Sequence, residues 1–221
     1  MPLHNLFATL CLVLILPAAD AETVTFEDVP IYSQGGFSNG GNFSSAGFQF
    51  ELASSGGVVI DDGGYCNPQC PYNGSHYVLS PRQGGYLQMS AAGGAEFALD
   101  QFDATGSFGY AGFVPDDIKV TGQLAGGATV TETFRVDPLP PNTFNTLHFQ
   151  TFKFDPTFQH LIGVRFESEG ASSAAGFSID NIAAVSVPEP SSLALMLLGL
   201  AGVVCSRRPK SSKAIESGSS K

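Results

Sequence analysis

Short segments of alternating apolar and polar side chains make up most of this chain, and no amphipathic helix of useful length precedes Pro188. A period of two places one set of side chains in a core and the other in water, which is typical of β-strands. Glycine-rich turns separate the segments. About ten short strands with such turns predict an all-β fold, an antiparallel β-sandwich of the jelly-roll type. The alternating segments are 23–28, 47–52, 86–89, 96–103, 117–124, 129–136, 147–154, 162–166 and 177–182.

The segment 96–103 breaks its own alternation. Phe97 and Leu99 share one face, and Phe102 falls on the other. Two explanations remain open: a β-bulge that restores the phase, or a strand that is buried on both faces.

Charge excludes one class of partner. The chain has a formal net charge of -10. The central domain has few cations and they are scattered, which argues against nucleic acid or anionic lipid as a partner. The cations between residues 22 and 186 are Arg82, Lys119, Arg135, Lys153 and Arg165.

The N-terminus has the pattern of a secretory signal peptide. Residues 6–16 are apolar apart from Thr9, Pro17 follows, and Ala19-Asp20-Ala21 supplies small residues where a signal peptidase cleaves. We therefore predict a signal peptide over 1–21, a mature start at Glu22 and a β-sandwich domain over 22–186.

The C-terminus combines three features in a fixed order. A stiff Pro188-Glu189-Pro190 comes first, an apolar run over 193–204 follows, and Arg207 and Arg208 close it. The apolar run predicts a helix over about 192–205. A buried core helix is one reading of 10–14 apolar residues. A run that is apolar on all sides and followed only by cations favours a membrane helix, with a polar cytoplasmic tail over 209–221.

This order of features resembles the bacterial PEP-CTERM sorting signal, over 187–208. The resemblance implies a protein of a Gram-negative bacterium that uses the export machinery. Such a protein is held transiently in the inner membrane and processed by exosortase, and then reaches the cell surface or the medium. Bacteria with this system make extracellular polysaccharide, which is the implied partner.

The central domain resembles the jelly-roll domains common on proteins with this tail, which are similar to galactose-binding-like and carbohydrate-binding modules. The resemblance rests on Phe26-Glu27-Asp28 in the first strand and the Asp180-Asn181 pair in the last. It implies that the first and last strands lie near each other. Some such folds hold a structural Ca²⁺ there, so the expected ligands are Glu27, Asp28 and Asp180.

Two cysteines lie close together in the central domain, at Cys66 and Cys70. In an oxidising compartment they predict a disulfide that closes a small loop. Zinc is the alternative, but only His76 is nearby as a further ligand. Tyr65 and Tyr72 flank the loop and could stack on sugar rings, which makes the loop a candidate glycan contact.

No catalytic constellation is evident. Residues 36–40 match the G-x-S-x-G pattern of serine hydrolases, but the flanking residues predict neither the strand nor the helix that this motif requires. Thr129, Thr131 and Thr133 form a single threonine face, which strand propensity explains. The sequence thus favours a non-catalytic exported protein near the exopolysaccharide layer. A calcium-dependent glycan-binding module and a secreted hydrolase are the alternatives.

Overall fold

The computed structural model describes nine ranges of the chain. They are 21–30, 41–53, 59–61, 71, 73–79, 85–106, 117–136, 149–169 and 176–187. The chain divides into two units, Met1–Pro188 and Glu189–Lys221, and all described elements belong to the first. None of the helical structure within these ranges is long and apolar enough to cross a membrane. The predicted signal peptide and sorting helix lie outside the described residues, except for Ala21.

The described residues form antiparallel strands and one short 3₁₀ turn at Ala92–Gly94. The all-β prediction is therefore confirmed. The strands are β1 (Ala21–Val24), β2 (Gly41–Ser45), β3 (Phe48–Ala53), β4 (Val59–Asp61), β5 (Tyr77–Leu79), β6 (Tyr86–Ala91), β7 (Phe97–Gly106), β8 (Asp117–Leu124), β9 (Thr129–Arg135), β10 (Gln150–Lys153), β11 (Leu161–Glu169) and β12 (Phe177–Ser186).

Six strands form the first sheet, in the order β2-β3-β6-β11-β8-β9, with every pairing antiparallel. In the second sheet β12 pairs with β7 along its length, and it also pairs with β1 and β5. In addition, β10 pairs with β7 and β4 pairs with β5. Within the described ranges a single residue pair, Leu161 with Phe97, joins the two sheets. β1 pairs with β12, so the first and last strands lie near each other, as expected.

The core lies between the facing sides of the two sheets. The first sheet contributes Phe50, Leu87 and Phe166, and the second contributes Phe102 and Ile179; all belong to one buried cluster. Phe102 is central, because its ring contacts four other phenylalanine rings at 5.1–5.6 Å between centroids. Burial of these rings and aliphatic chains is the main driving force of a fold like this one, and edge-to-face ring geometry adds to it.

The bulge explanation for the segment 96–103 is correct. In β7, Gln101 pairs with Ala183 and Leu99 pairs with Ala184, so Asp100 is the extra residue. Phe97, Leu99 and Phe102 are consequently all buried, and Asp100 is exposed.

One detail of the predicted strands was wrong. The first strand ends at Val24 rather than continuing to residue 28, because Phe26 has a left-handed φ of 58° and its carbonyl accepts a hydrogen bond from Val29 N–H. The twelve strands among the described residues agree with the prediction of about ten. The strands that the pattern missed are β2, β4 and β5: β5 is buried on both faces and has no alternation to detect.

Candidate functional site

The outward side of the first sheet carries a polar face, which we define as the outward side chains of β2, β3, β6, β11, β8 and β9. Register sets its geometry, because residues directly opposite on neighbouring strands have side chains on the same side. One row crosses all six strands, over about 24 Å at the usual strand spacing. The row consists of Asn42, Glu51, Gln88, Arg165, Thr121 and Thr131.

Strand alternation explains why these side chains point outward. Gln88 lies between the buried Leu87 and Met89, and Arg165 lies between the buried Val164 and Phe166. The same apolar residues that fix each strand to the core therefore direct the polar residues between them to the surface.

Arg165 is positioned on the polar face by contacts with Tyr86 and Gln88. Its guanidinium carbon lies 3.9 Å from the centre of the Tyr86 ring, a cation–π distance. Its Nε donates to Gln88 Oε1 at 3.2 Å, and Tyr86 Oη donates to Glu51 Oε1 at 3.1 Å. Within the described residues no further hydrogen bond from this guanidinium is found, and its Nη1 lies near the carboxylate of Glu167.

A cleft with a volume of about 210 Å³ opens beside Arg165. Gly163 forms part of this surface: it pairs with Gln123, and a Cβ placed on it would lie 3.0 Å from Gln88 Nε2. The missing side chain of Gly163 leaves room for the Gln88 side chain, which lines the cleft. The cleft is lined by Gln88, Thr121, Gln123, Thr129, Arg165 and Glu167.

Amides, hydroxyls, a guanidinium and a carboxylate are the groups that bind hydroxyl-rich ligands, since they offer donors and acceptors close together. Two ion pairs lie on the same polar face. Arg165 Nη1 lies 3.9 Å from Glu167 Oε1, and Lys119 Nζ lies 3.4 Å from Glu169 Oε1.

The expected calcium ligands lie near the β1–β12 junction, but each carboxylate has its own partners. Glu27 Oε1 accepts from His76 N–H at 2.9 Å. Asp28 accepts from Ser45 Oγ at 2.5 Å and from Ala46 N–H at 3.0 Å. The hydrogen bond from Ser45 lowers the pKa of Asp28 from its ordinary value, because it favours the charged form.

Asp180 is fully buried in β12. Its Oδ2 accepts from Asn73 Nδ2 at 2.6 Å and Ser75 Oγ at 2.7 Å, and its Oδ1 accepts from Asn181 N–H at 2.7 Å. Burial raises the pKa of Asp180, with the charge of Asp103 adding to the effect, and the hydrogen bonds oppose it. This carboxylate fastens the loop at 73–76 to the last strand.

Asp103 is the cross-strand partner of Asp180. It accepts from Thr151 Oγ1 at 2.6 Å and from Asn181 Nδ2 at 2.8 Å. Asn181 reaches both acids from a left-handed conformation, φ 48°, where β12 is irregular. Although Asp103 and Asp180 are close, no group of three histidine, cysteine or acidic residues able to hold a metal occurs within the described ranges. Calcium at this junction stays a prediction.

The remaining site predictions fall outside the described residues and stay predictions. They concern Cys66, Cys70, Tyr65 and Tyr72 in the cysteine loop, and Pro188, Glu189, Pro190, Arg207 and Arg208 in the tail. Tyr86, Gln88, Arg165 and Gly163 were not singled out from the sequence. Their outward positions follow from strand alternation, whereas their proximity depends on β6 lying next to β11.

Comparison with known proteins confirms the recognition of the tail. Residues 186–208 match the PEP-CTERM protein-sorting motif. This motif implies an exported protein that exosortase targets, consistent with the cell surface or the extracellular space. A search among curated proteins finds no match.

The chain is similar to several solved structures, of which three are described. The chain is similar to a family 29 carbohydrate-binding module from Piromyces equi, with 11% identity, 77% of this chain and 92% of that chain covered, and a TM-score of 0.43. It is similar to the K3 cleaved adhesin domain of Lys-gingipain from Porphyromonas gingivalis, with 14% identity, 76% and 100% coverage, and a TM-score of 0.38. It is also similar to a CBM22 tandem domain from Paenibacillus barcinonensis Xyn10C, with 13% identity, 79% and 49% coverage, and a TM-score of 0.37.

Proposed function

We propose that this chain is an exported, exosortase-sorted β-sandwich protein that binds a polysaccharide, without cleaving it, on the polar face of its first sheet. The sorting motif at 186–208 supports the first half of the proposal. The site that supports the second half is the cleft beside Arg165 and Gly163.

The observation that carries the proposal is the continuous row of polar side chains from Asn42 to Thr131. An extended ligand that crosses the strands meets an amide, a carboxylate, a second amide, a guanidinium and two hydroxyls in succession. A chain of sugars presents hydroxyls at regular intervals, so it can pair with such a row at several points. Many weak contacts together give affinity, while no single contact is strong.

The geometry of Arg165 suits recognition because its guanidinium is already positioned by Tyr86 and Gln88. A side chain that is ordered before binding loses less conformational entropy when the ligand arrives. Arginine presents its N–H groups in a fixed plane, and neighbouring hydroxyl oxygens of a sugar can accept from them in pairs.

The location of such a binding protein follows from its tail. Transient retention in the inner membrane through the C-terminal helix, followed by processing, would deliver the β-sandwich to the exopolysaccharide layer of a Gram-negative cell. Binding in that layer would keep the released domain close to the cell. The exopolysaccharide is accordingly the proposed partner.

Affinity gel electrophoresis tests the binding site. The purified β-sandwich domain, residues 22–186, is run through gels containing galactomannan, mixed-linkage β-glucan, arabinoxylan, alginate or polygalacturonate. We expect retardation by at least one polysaccharide. Gly163→Val should abolish it, because a Cβ at this position would lie 3.0 Å from Gln88 Nε2 and displace that side chain, which lines the cleft. Gly126→Val is the matched control, since a Cβ there meets nothing within 4 Å.

Each possible result is informative. If Gly163→Val does not fold, Gln123→Ala takes its place, because Gln123 is exposed and lines the cleft. No retardation in any gel, or retardation that both cleft variants retain, would contradict the proposal. Release of reducing ends from a retarding polysaccharide would favour the hydrolase alternative.

A further inference from the structure

Cations on the polar face are matched by carboxylates. Arg165 lies 3.9 Å from Glu167, and Lys119 lies 3.4 Å from Glu169. The register places Arg135 opposite Asp117, and Glu51 carries a further negative charge. Within the described residues the polar face therefore has three cations and four carboxylates. They are Lys119, Arg135 and Arg165, and Glu51, Asp117, Glu167 and Glu169.

One of these ion pairs lies in the cleft. Glu167 and Arg165 both line it, and their side chains are 34% and 42% exposed. Their charges act over a similar distance on anything that enters, because neither is shielded much more than the other. An anionic sugar that approaches Arg165 also approaches Glu167, and the attraction is offset by repulsion.

We propose that Glu167 is a specificity-determining residue that restricts the cleft to uncharged polysaccharides and excludes uronate-containing ones. This inference rests on the proposed function, since it concerns the same cleft. Glu167 accepts hydrogen bonds from hydroxyls of a neutral sugar and repels a carboxylate. The negative charge of the whole chain acts in the same direction at longer range.

Arg165 has different roles toward neutral and anionic ligands. Toward a neutral ligand it acts as a hydrogen-bond donor, and its pairing with Glu167 does not reduce that capacity. Toward an anionic ligand it would act as a charge, and Glu167 cancels most of the attraction. Removing the Glu167 charge should therefore change binding of anionic ligands much more than binding of neutral ones.

Glu167→Gln tests the inference, because it removes the charge and keeps the shape. Binding of the wild type and the variant is measured by titration calorimetry against galactomannan and mixed-linkage β-glucan as neutral probes, and against alginate and polygalacturonate as anionic probes. We expect the wild type to bind a neutral probe and neither anionic probe. Glu167→Gln should bind an anionic probe at least about tenfold more tightly than the wild type at low salt, and lose this gain near about 1 M salt.

Glu169→Gln is the matched control. It removes the same charge from the same strand, but its partner is Lys119, and neither residue lines the cleft. We expect this control to gain much less affinity for the anionic probes. Equal gains in both variants would overturn the inference, because they would indicate net charge rather than Glu167 as the cause.

The wild type by itself distinguishes this inference from the function it rests on. If the wild type binds alginate or polygalacturonate and Gly163→Val abolishes that binding, the proposed function stands and the selectivity for uncharged polysaccharides is overturned. Absence of cleft-dependent binding to every probe would remove the proposed function, and the selectivity with it.

Discussion

The guanidinium of Arg165 lies over the ring of Tyr86, 3.9 Å from its centre, and this contact joins two neighbouring strands on the outside of the sheet. It covers one face of the only tyrosine on the polar face within the described residues. On the proposed function, the guanidinium rather than that face of the ring would contact a ligand.

Arg165→Ala should weaken polysaccharide binding by about 1.5–3 kcal/mol, the usual contribution of hydrogen bonds from a charged donor. This corresponds to a loss of roughly 10- to 100-fold in affinity, which calorimetry measures directly. The melting temperature should change little, because Arg165 is not part of the buried core. Lys119→Ala is the control and should retain binding. An unchanged affinity in Arg165→Ala would remove this residue from the site.

Asp180→Asn should destabilise the domain by about 1–3 kcal/mol, the cost of leaving buried groups without hydrogen-bond partners. The substituted amide can no longer accept on both of its terminal atoms, because its NH₂ group is a donor. It loses either the hydrogen bonds from Asn73 Nδ2 and Ser75 Oγ or the one from Asn181 N–H. Urea unfolding measures the loss. Asp100→Asn, at an exposed position in β7, is the control and should have little effect.

Asp28 should make stability depend on pH in the acid range. Its pKa is lower in the folded state than its ordinary value of 3.8, so below that value the unfolded chain binds more protons than the folded one. The stabilisation that Asp28 provides is fully present above its ordinary pKa, and it is lost as the pH falls through the lowered pKa of the folded state. Asp28→Asn should therefore unfold more readily than the wild type at neutral pH. The difference should shrink on acidification below about pH 4, measured by urea unfolding.

Asp180 should change the stability of the folded state with pH in the opposite direction, because its pKa is raised. Between the ordinary value and the raised value the folded state binds more protons, so its stability penalty grows as the pH rises through that window. A wild-type profile that lacks both trends would contradict the assignment of these two carboxylates.

Calcium binding at the β1–β12 junction has a direct test. A cation that binds only the folded state raises its stability by mass action, by about 2.7 kcal/mol at a concentration of 100 Kd. The wild type should melt at a higher temperature in millimolar calcium than in chelator, and Asp180→Ala should lose most of that difference. Equal melting temperatures in both buffers would leave Glu27, Asp28 and Asp180 with structural roles only.

Processing of both ends is tested by intact-mass analysis of the protein recovered from the medium and envelope of its own host. We expect a start near Glu22 and loss of the residues from Arg207 onward. Comparison of the mass with and without reduction also tests the predicted bond between Cys66 and Cys70. A secreted form that still ends at Lys221 would contradict exosortase processing.

Local pattern was enough to predict several parts of this protein. Alternation around Gln88, Thr121 and Arg165 predicted their strands and which side chains face water, because an apolar residue on each side must reach the core. The tail was predicted from residue order alone, since a sorting signal is read as a linear segment. The bulge at Asp100 was one of two explanations for a phase shift visible in the sequence.

The tertiary structure decided what local pattern could not contain. Phe26 continues an alternating run, yet it takes a left-handed turn and packs its ring against Phe43 and Phe50. The burial of Asp180 depends on a loop that precedes it by 105 residues or more. Gln88 and Arg165 are 77 residues apart and meet only because β6 and β11 pair. Period two fixes the side of a sheet on which a residue lies, whereas packing of the whole core selects the neighbouring strand, and that choice assembled the cleft.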